Sequence, residues 1–305
     1  MNDLDLSTKL GPLSLKNPLL TASGTFGYGH ELDQFISPDI FGAITLKGIT
    51  IKPTQGNPSP RIVETASGII NSIGLENPGI DKFLTEKIED LSDINTVIIA
   101  NISGHTVDDF AYLAEKISKV DIISAIEINV SCPNIAGGGM IFGTDSELIY
   151  QVSKKAKNNY QGPVIIKLSP NVTDIVEMAM AAKEAGSDIV SLINTLLGMA
   201  IDAEKMKVVL GNTFGGLSGP AIKPVALRMV YQVASKVDIP IIAMGGVMNG
   251  KDAIEFLLAG ADAVAIGTAN LIDPKSGEMI LNEIKDYMNR KDFKNIDDIK
   301  GKAIK

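Results

Sequence analysis

Residues 239–268 read IPIIAMGGVMNGKDAIEFLLAGADAVAIGT, and this stretch decides the fold. An apolar run closes on Gly245-Gly246, a segment over 251–259 carries apolar residues at helical spacing and stops at Gly260, and a second apolar run closes on Gly267-Thr268. Both runs are almost continuously hydrophobic, the pattern of parallel strands buried on both faces. Outward from this unit, similar runs occupy 18–22, 43–47, 96–101, 125–130, 163–168 and 188–194, alternating with helical segments. Counting the runs at 239–244 and 262–267, eight strands are expected. Eight repeats of strand and helix point to a closed (β/α)8 barrel, a TIM barrel forming one domain over residues 1–305, rather than to an open sheet.

Local signals set the boundaries. Thr106 followed by Asp109 forms a capping-box pattern that starts a helix over 107–119. Thr173 is placed to cap a helix over 174–185, with Gly186 ending it in a left-handed conformation. The segment LDLSTKLGPLSLKNP alternates and turns at Gly11-Pro12, which predicts a β-hairpin ahead of the first barrel strand. Two inserted loops, 52–81 and 195–219, are long for a compact domain and are expected at the carboxyl-terminal face with a functional task.

The bulk composition excludes several classes. Of 305 residues, 45% are hydrophobic and 21% charged, and the net charge is −8 with the basic residues scattered. No basic face is available to displace counterions from phosphates, so a nucleic-acid partner is not expected. Cys132 is alone, which rules out an internal disulfide, an iron–sulfur cluster or a cysteine-based zinc site in this chain. His30 and His105 are too few for the usual metal sets, and neither is given a role. The acidic amino terminus lacks a signal-like apolar core, and no run of about 18 apolar residues occurs. The expectation is a cytoplasmic protein with no metal and no membrane association.

The chemistry is expected at the carboxyl ends of the strands. Those ends read Ser23, Lys47-Gly48, Asn101, Asn129 with Cys132, Lys167, Asn194-Thr195, Gly245-Gly246 and Gly267-Thr268, each small or polar after an apolar run. The glycines after the seventh and eighth runs suit close approach of a phosphate to backbone N–H groups, although tight strand-to-helix turns would also use them. No G-x-G-x-x-G follows a strand, so a Rossmann dinucleotide site has no support. Cys132 follows the fourth run. Pro133 and the glycines at 137–139 favour a rim loop, where a thiol that ionises near neutral pH can take a proton from carbon. A nucleophilic role is the competing reading, though no neighbouring histidine is placed to activate it. Lys47 and Lys167 end apolar strands, so their charges can face an anionic reduced flavin or a substrate carboxylate.

On these residues the chain resembles class 1 dihydroorotate dehydrogenases, and within them the class 1B catalytic subunits. The resemblance is carried in order by Thr21-Ala22-Ser23-Gly24, Thr45-Leu46-Lys47-Gly48, Asn71-Ser72-Ile73-Gly74-Leu75 and Asn129-Val130-Ser131-Cys132-Pro133-Asn134. It continues through Gly215-Gly216-Leu217-Ser218-Gly219-Pro220, Gly245-Gly246-Val247 and Gly267-Thr268. It implies FMN contacts from Ser23, Lys47, Gly48, Asn101, Asn129, Lys167, Ile193, Gly219, Gly245, Gly246, Gly267 and Thr268, the last four at the phosphate. It implies substrate contacts from Lys47, Asn71, Ser72, Ile73, Gly74, Leu75, Asn129, Asn194 and Thr195. Ser72 stands where the family more usually has alanine. The resemblance makes Cys132 the base that removes the C5 proton of dihydroorotate while C6 delivers hydride to FMN. It also implies a partner subunit carrying FAD and a [2Fe–2S] cluster that relays electrons to NAD+, in a heterotetramer built on a homodimer of this chain. A class 1A-like homodimer using fumarate shares the cysteine. A flavin-free phosphate-binding barrel with a nucleophilic cysteine, as in inosine monophosphate dehydrogenase, is the third reading, and a non-catalytic binding barrel gives no reason for the placement of Cys132.

Overall fold

A computed structural model describes residues 4–131 and 142–305. Eight parallel strands close into a barrel in chain order: Leu19–Thr21, Ala43–Thr45, Val97–Ile102, Ala125–Asn129, Val164–Lys167, Ile189–Leu192, Ile241–Met244 and Ala263–Ile266. The last pairs with the first in parallel through Val264 with Leu19 and Ile266 with Thr21. Seven of the strands lie within the apolar runs expected from the sequence, and Val97–Ile102 extends one residue past its run at 96–101.

The side chains that point outward from the strands pack under the helices. Those that point inward fill the barrel, because alternate residues of a strand face opposite sides. Leu20, Ile99, Ala125, Ile165, Ile189, Ile242 and Ala263 form this inner core. The hairpin Thr8–Leu10 and Leu13–Leu15 turns through Gly11 (φ +55°) and adds Leu10, Leu13 and Leu15 to the same cluster, stoppering the amino-terminal mouth. Two residues further along four strands, the inward positions turn polar: Asn101, Glu127, Lys167 and Ser191. The barrel interior is therefore apolar below and, on these four strands, polar toward its carboxyl-terminal rim, while Ala22, Met244 and Ala265 keep the other side apolar.

The helices begin where side chains satisfy their free N–H groups. Thr106 and Asp109 form a reciprocal capping box before Val107–Ile117. The expected cap Thr173 is displaced by one residue: Asp174 accepts from the Val176 N–H at 2.8 Å, and the helix is Ile175–Glu184. A carboxylate is a charge-assisted acceptor at the positive end of the helix, so it prevails over the neighbouring hydroxyl. Asn249 caps Gly250–Leu258, and Gly186 and Gly260 take positive φ (+92° and +105°) after their helices.

The largest departure concerns the two insertions, expected as loops. Ile62–Thr65 pairs with Gly68–Asn71 in the first and Leu196–Gly198 with Gly215–Ser218 in the second, and Gly68–Asn71 pairs with Gly215–Ser218 to join them in a four-stranded antiparallel sheet. Each pair alone is short, and the outer backbone edges of Gly68–Asn71 and Gly215–Ser218 are satisfied only when the other insertion is present. No helix among the described residues is long and apolar enough to cross a membrane.

Leu10 is fully buried in the barrel core. Leu10→Ala is expected to lower stability by about 2–5 kcal/mol, read as a shift in the urea midpoint at unchanged slope. An unshifted midpoint would show that the hairpin does not contribute to the core.

Candidate active site

The carboxyl-terminal rim and the inserted sheet enclose a cavity of about 350 Å³. Ser23, Lys47, Gly48, Asn101, Asn129, Lys167, Ile193, Asn194 and Thr195 line it from the first six strand ends. Gly219, Gly245, Gly246, Gly267 and Thr268 line one corner, and Asn71, Ser72, Ile73, Gly74 and Leu75 come in from the inserted sheet. Every site position expected from the sequence that lies among the described residues thus faces one space. Cys132, and with it Pro133 and the glycines at 137–139, lies outside the described residues.

The glycine corner is built by backbone approach. Gly246 has φ +77°, and a Cβ there would lie 2.7 Å from Lys223 Cβ and 2.8 Å from the Gly219 carbonyl oxygen. Gly219 has φ +94°, with its own Cβ position 2.8 Å from Gly68 Cα. A side chain at either place would collide with neighbouring protein atoms, so only glycine fits there, and its bare main chain is left for a ligand to approach. Thr268 begins the short helix Thr268–Ile272 beside them, and its hydroxyl lies 2.9 Å from that of Ser218. Behind the corner, Lys223 pairs with Asp252 and Glu255, and Asp252 accepts from the Met248 N–H at 2.9 Å. These contacts tether the loop that carries the glycine pair to its helix.

The opposite wall is polar and amide-rich. Asn194 donates to Asn129 Oδ1 at 3.2 Å, and Asn194 Oδ1 accepts from the Thr195 N–H at 2.9 Å. Asn71 donates to the Gly216 carbonyl at 3.3 Å, tying the two insertions together at the cavity wall. Ser72 is buried. Its hydroxyl accepts from Asn57 at 2.8 Å and Asn212 at 3.3 Å, and its N–H donates to the Arg61 carbonyl at 2.7 Å. The hydroxyl is thus an anchor for the 71–75 segment. Arg61 in turn pairs with Glu76 at 2.5 Å.

The two rim lysines differ. Lys167 is buried, with its ammonium 3.6 Å from Glu127 Oε1, whereas no carboxylate among the described residues pairs with Lys47. Glu127 also accepts from Asn101 Nδ2 and from Ser191 Oγ, each at 2.7 Å. Asn101 Oδ1 is left buried with no partner and lies beside Gly48, 3.0 Å from where a Cβ on that glycine would stand. A buried acceptor without a donor is costly unless a ligand supplies one.

Glu127 was missed by sequence reasoning, as were Ser191 and Ser218. The signal for Glu127 was present, because it interrupts the apolar run Ala125-Ile126-Glu127-Ile128-Asn129 in phase with Asn129. His30 and His105 take no part in the cavity. His30 bonds to Asp33 at 2.5 Å and lies 3.2 Å from Asp93, and the Asp33 carboxylate raises its pKa above the ordinary value. His105 precedes the cap of its helix and donates its N–H to Asp109 at 2.8 Å. No group of three or more histidine, cysteine or acidic side chains among the described residues could hold a metal ion.

A closed barrel whose polar cavity and glycine corner lie at the strand carboxyl ends has the architecture of a barrel enzyme. A family model for dihydroorotate dehydrogenase matches residues 5–288, and the chain belongs to that family. It is 50% identical over 301 residues to the protein named dihydroorotate dehydrogenase B (NAD(+)), catalytic subunit, of Alkaliphilus metalliredigens, covering 99% of each chain. The protein of the same name from Desulforamulus reducens is 51% identical over 300 residues, covering 98% of this chain and 99% of the relative. Among solved structures, the crystal structure of DHODH from Eimeria tenella in complex with ferulenol superposes with a TM-score of 0.80. It covers 98% of this chain and 88% of that one at 24% identity, a likeness in fold alone.

Gly246→Ala is expected to destabilise the protein by about 1–3 kcal/mol, the cost of a strained backbone residue, because the methyl meets the Gly219 carbonyl. A denaturant midpoint equal to wild type would show that the corner relaxes without cost.

Proposed function

We propose that this chain is the FMN-binding catalytic subunit of a dihydroorotate dehydrogenase that oxidises dihydroorotate to orotate in pyrimidine biosynthesis and passes the electrons to NAD+ through a partner subunit. The observation that carries the reading is a single cavity with a glycine corner for a phosphate at one side and two lysines with four amide or hydroxyl side chains at the other. Full-length identity near 50% to proteins named NAD(+)-linked catalytic subunits supports the choice of acceptor over the fumarate-using alternative.

The residues present fit the cofactor. Gly219 and Gly246 leave bare main chain for a ligand to approach, and the unpartnered Asn101 Oδ1 offers an acceptor to a ring N–H. Gly245, Gly246, Gly267 and Thr268 would hold the phosphate. Ser23, Lys47, Gly48, Asn101, Asn129, Lys167, Ile193 and Gly219 would flank the remainder. When bound, FMN would supply a hydride acceptor for C6 of dihydroorotate.

The protein residues would hold the substrate and move its proton. Asn71, Asn129, Asn194 and Thr195 offer the donors and acceptors that a pyrimidine ring with alternating N–H and C=O groups requires. Lys47, with no carboxylate partner among the described residues, is free to meet the substrate carboxylate. The segment at Ser72, Ile73, Gly74 and Leu75 would close over the ring. Cys132, three residues beyond Asn129, would take the C5 proton as its thiolate. The cluster and FAD needed to reach NAD+ would reside in the partner, because one cysteine cannot ligate an iron–sulfur cluster.

Cys132→Ser is expected to slow flavin reduction by dihydroorotate by at least about 10²-fold near neutral pH, since a hydroxyl is a far weaker acid than a thiol. Orotate binding and flavin content should persist. Stopped-flow absorbance measures this, and near-normal reduction would remove Cys132 from the mechanism. The isolated chain should reduce an artificial dye with dihydroorotate yet leave NAD+ unreduced until the partner is added. Efficient NAD+ reduction by the pure chain would contradict the two-subunit reading, and rapid fumarate-dependent turnover would move the chain to the single-subunit class.

A further inference from the structure

Glu127 sits in the polar layer of the barrel directly under the cavity and is 1% exposed. Its two oxygens are shared among three neighbouring strands. Oε1 takes the Asn101 amide at 2.7 Å and faces the Lys167 ammonium at 3.6 Å, while Oε2 takes the Ser191 hydroxyl at 2.7 Å. The register fixes this arrangement, since Asn101 pairs directly with Glu127 and Ser191 with Lys167.

A buried carboxylate loses several kcal/mol of hydration, and a pair such as Glu127 with Lys167 seldom outperforms apolar residues of similar volume in stabilising a core. The layer just beneath it, with Ala125, Ile165, Ile189 and Ile99, shows the apolar solution this barrel uses elsewhere. Stability alone therefore gives no reason for the carboxylate. What it does impose is polarity. An ionised carboxylate only accepts hydrogen bonds, so the Asn101 amide must turn its NH₂ toward Glu127. The Asn101 carbonyl oxygen is then the group left over, buried and unpartnered against Gly48 at the cavity wall. Were residue 127 a donor, the same side chain would rotate and present NH₂ to the ligand instead.

We infer that Glu127 is a positioning residue, which fixes Asn101 with its carbonyl oxygen presented to a ring N–H of the bound flavin and anchors the Lys167 ammonium beneath that ring. The inference rests on the reading of the cavity as the FMN and dihydroorotate site. It assigns Glu127 no contact with either molecule. Its effect passes through Asn101 and Lys167, and through the charge it contributes beneath the flavin.

Glu127→Gln tests this, with FMN as the probe. Reconstitution of apoprotein, followed by quenching of flavin fluorescence, is expected to show FMN binding weakened about tenfold or more, because the glutamine amide no longer dictates the orientation of Asn101. Loss of the negative charge beneath the ring should favour reduced over oxidised flavin by about tenfold, a positive shift of about 30 mV for a two-electron couple. A variant that melts at a lower temperature but keeps the wild-type affinity and potential would place Glu127 in the barrel core only and overturn the inference.

If Glu127→Gln does not fold, Lys167→Met and the double variant Glu127→Gln/Lys167→Met carry the test, because the double variant removes both buried charges together. The double variant is expected to hold FMN at a higher potential than Lys167→Met, and equal potentials would overturn the inference. Wild-type protein that takes up no FMN would bring down the reading of the cavity itself. Wild-type uptake with unaltered variants would bring down only the role of Glu127.

Discussion

Closure of eight parallel strands is the constraint on which the rest of this molecule depends. It sends every strand carboxyl end to one rim, so residues as far apart in sequence as Ser23 and Thr268 meet around one space. It also divides the barrel interior by depth. Leucines of the amino-terminal hairpin and the apolar residues above them fill the lower part, and on four adjacent strands the next inward positions toward the rim are Asn101, Glu127, Lys167 and Ser191. An apolar floor of this kind excludes water from below, and hydrogen bonds and ion pairs are stronger in such surroundings than in bulk solvent.

The second level of organisation is the sheet over the mouth. Two insertions separated by more than a hundred residues complete each other's hydrogen bonding, and their junction at Asn71 and Gly216 forms part of the cavity wall. The Ser72 hydroxyl likewise binds the two insertions together. It is taken up by Asn57 and Asn212, one from each insertion, rather than left exposed to the cavity. The rim lysines divide in a similar way: Lys167 is held by a buried carboxylate, while Lys47 keeps its charge for the cavity.

Most of the barrel was legible because its strands are buried on both faces and so read as unbroken apolar runs. The rim was legible because each run ends abruptly in a serine, glycine, lysine or asparagine. The inserted sheet was not, since it is completed by Gly68–Asn71 pairing with Gly215–Ser218 across more than a hundred residues, and no local pattern encodes that pairing. The cap at Asp174 was missed because Thr173 beside it carries a similar local signal, and only geometry decides between a hydroxyl and a carboxylate one residue apart. Glu127 was passed over for a different reason. Attention to strand ends overlooks a charged residue two positions earlier, although alternation places it on the same inward face as Asn129. The fold thus follows from periodicity, whereas the polarity of the site follows from which inward positions depart from it.

The proposed function requires this rim to hold a flavin which dihydroorotate can reduce. Anaerobic mixing of the purified protein with dihydroorotate tests it most directly, with flavin absorbance and released orotate followed together. Bleaching of a stoichiometric flavin is expected, with one orotate formed per flavin reduced. A folded protein that neither carries nor takes up FMN, or a flavin that dihydroorotate leaves oxidised, would contradict it.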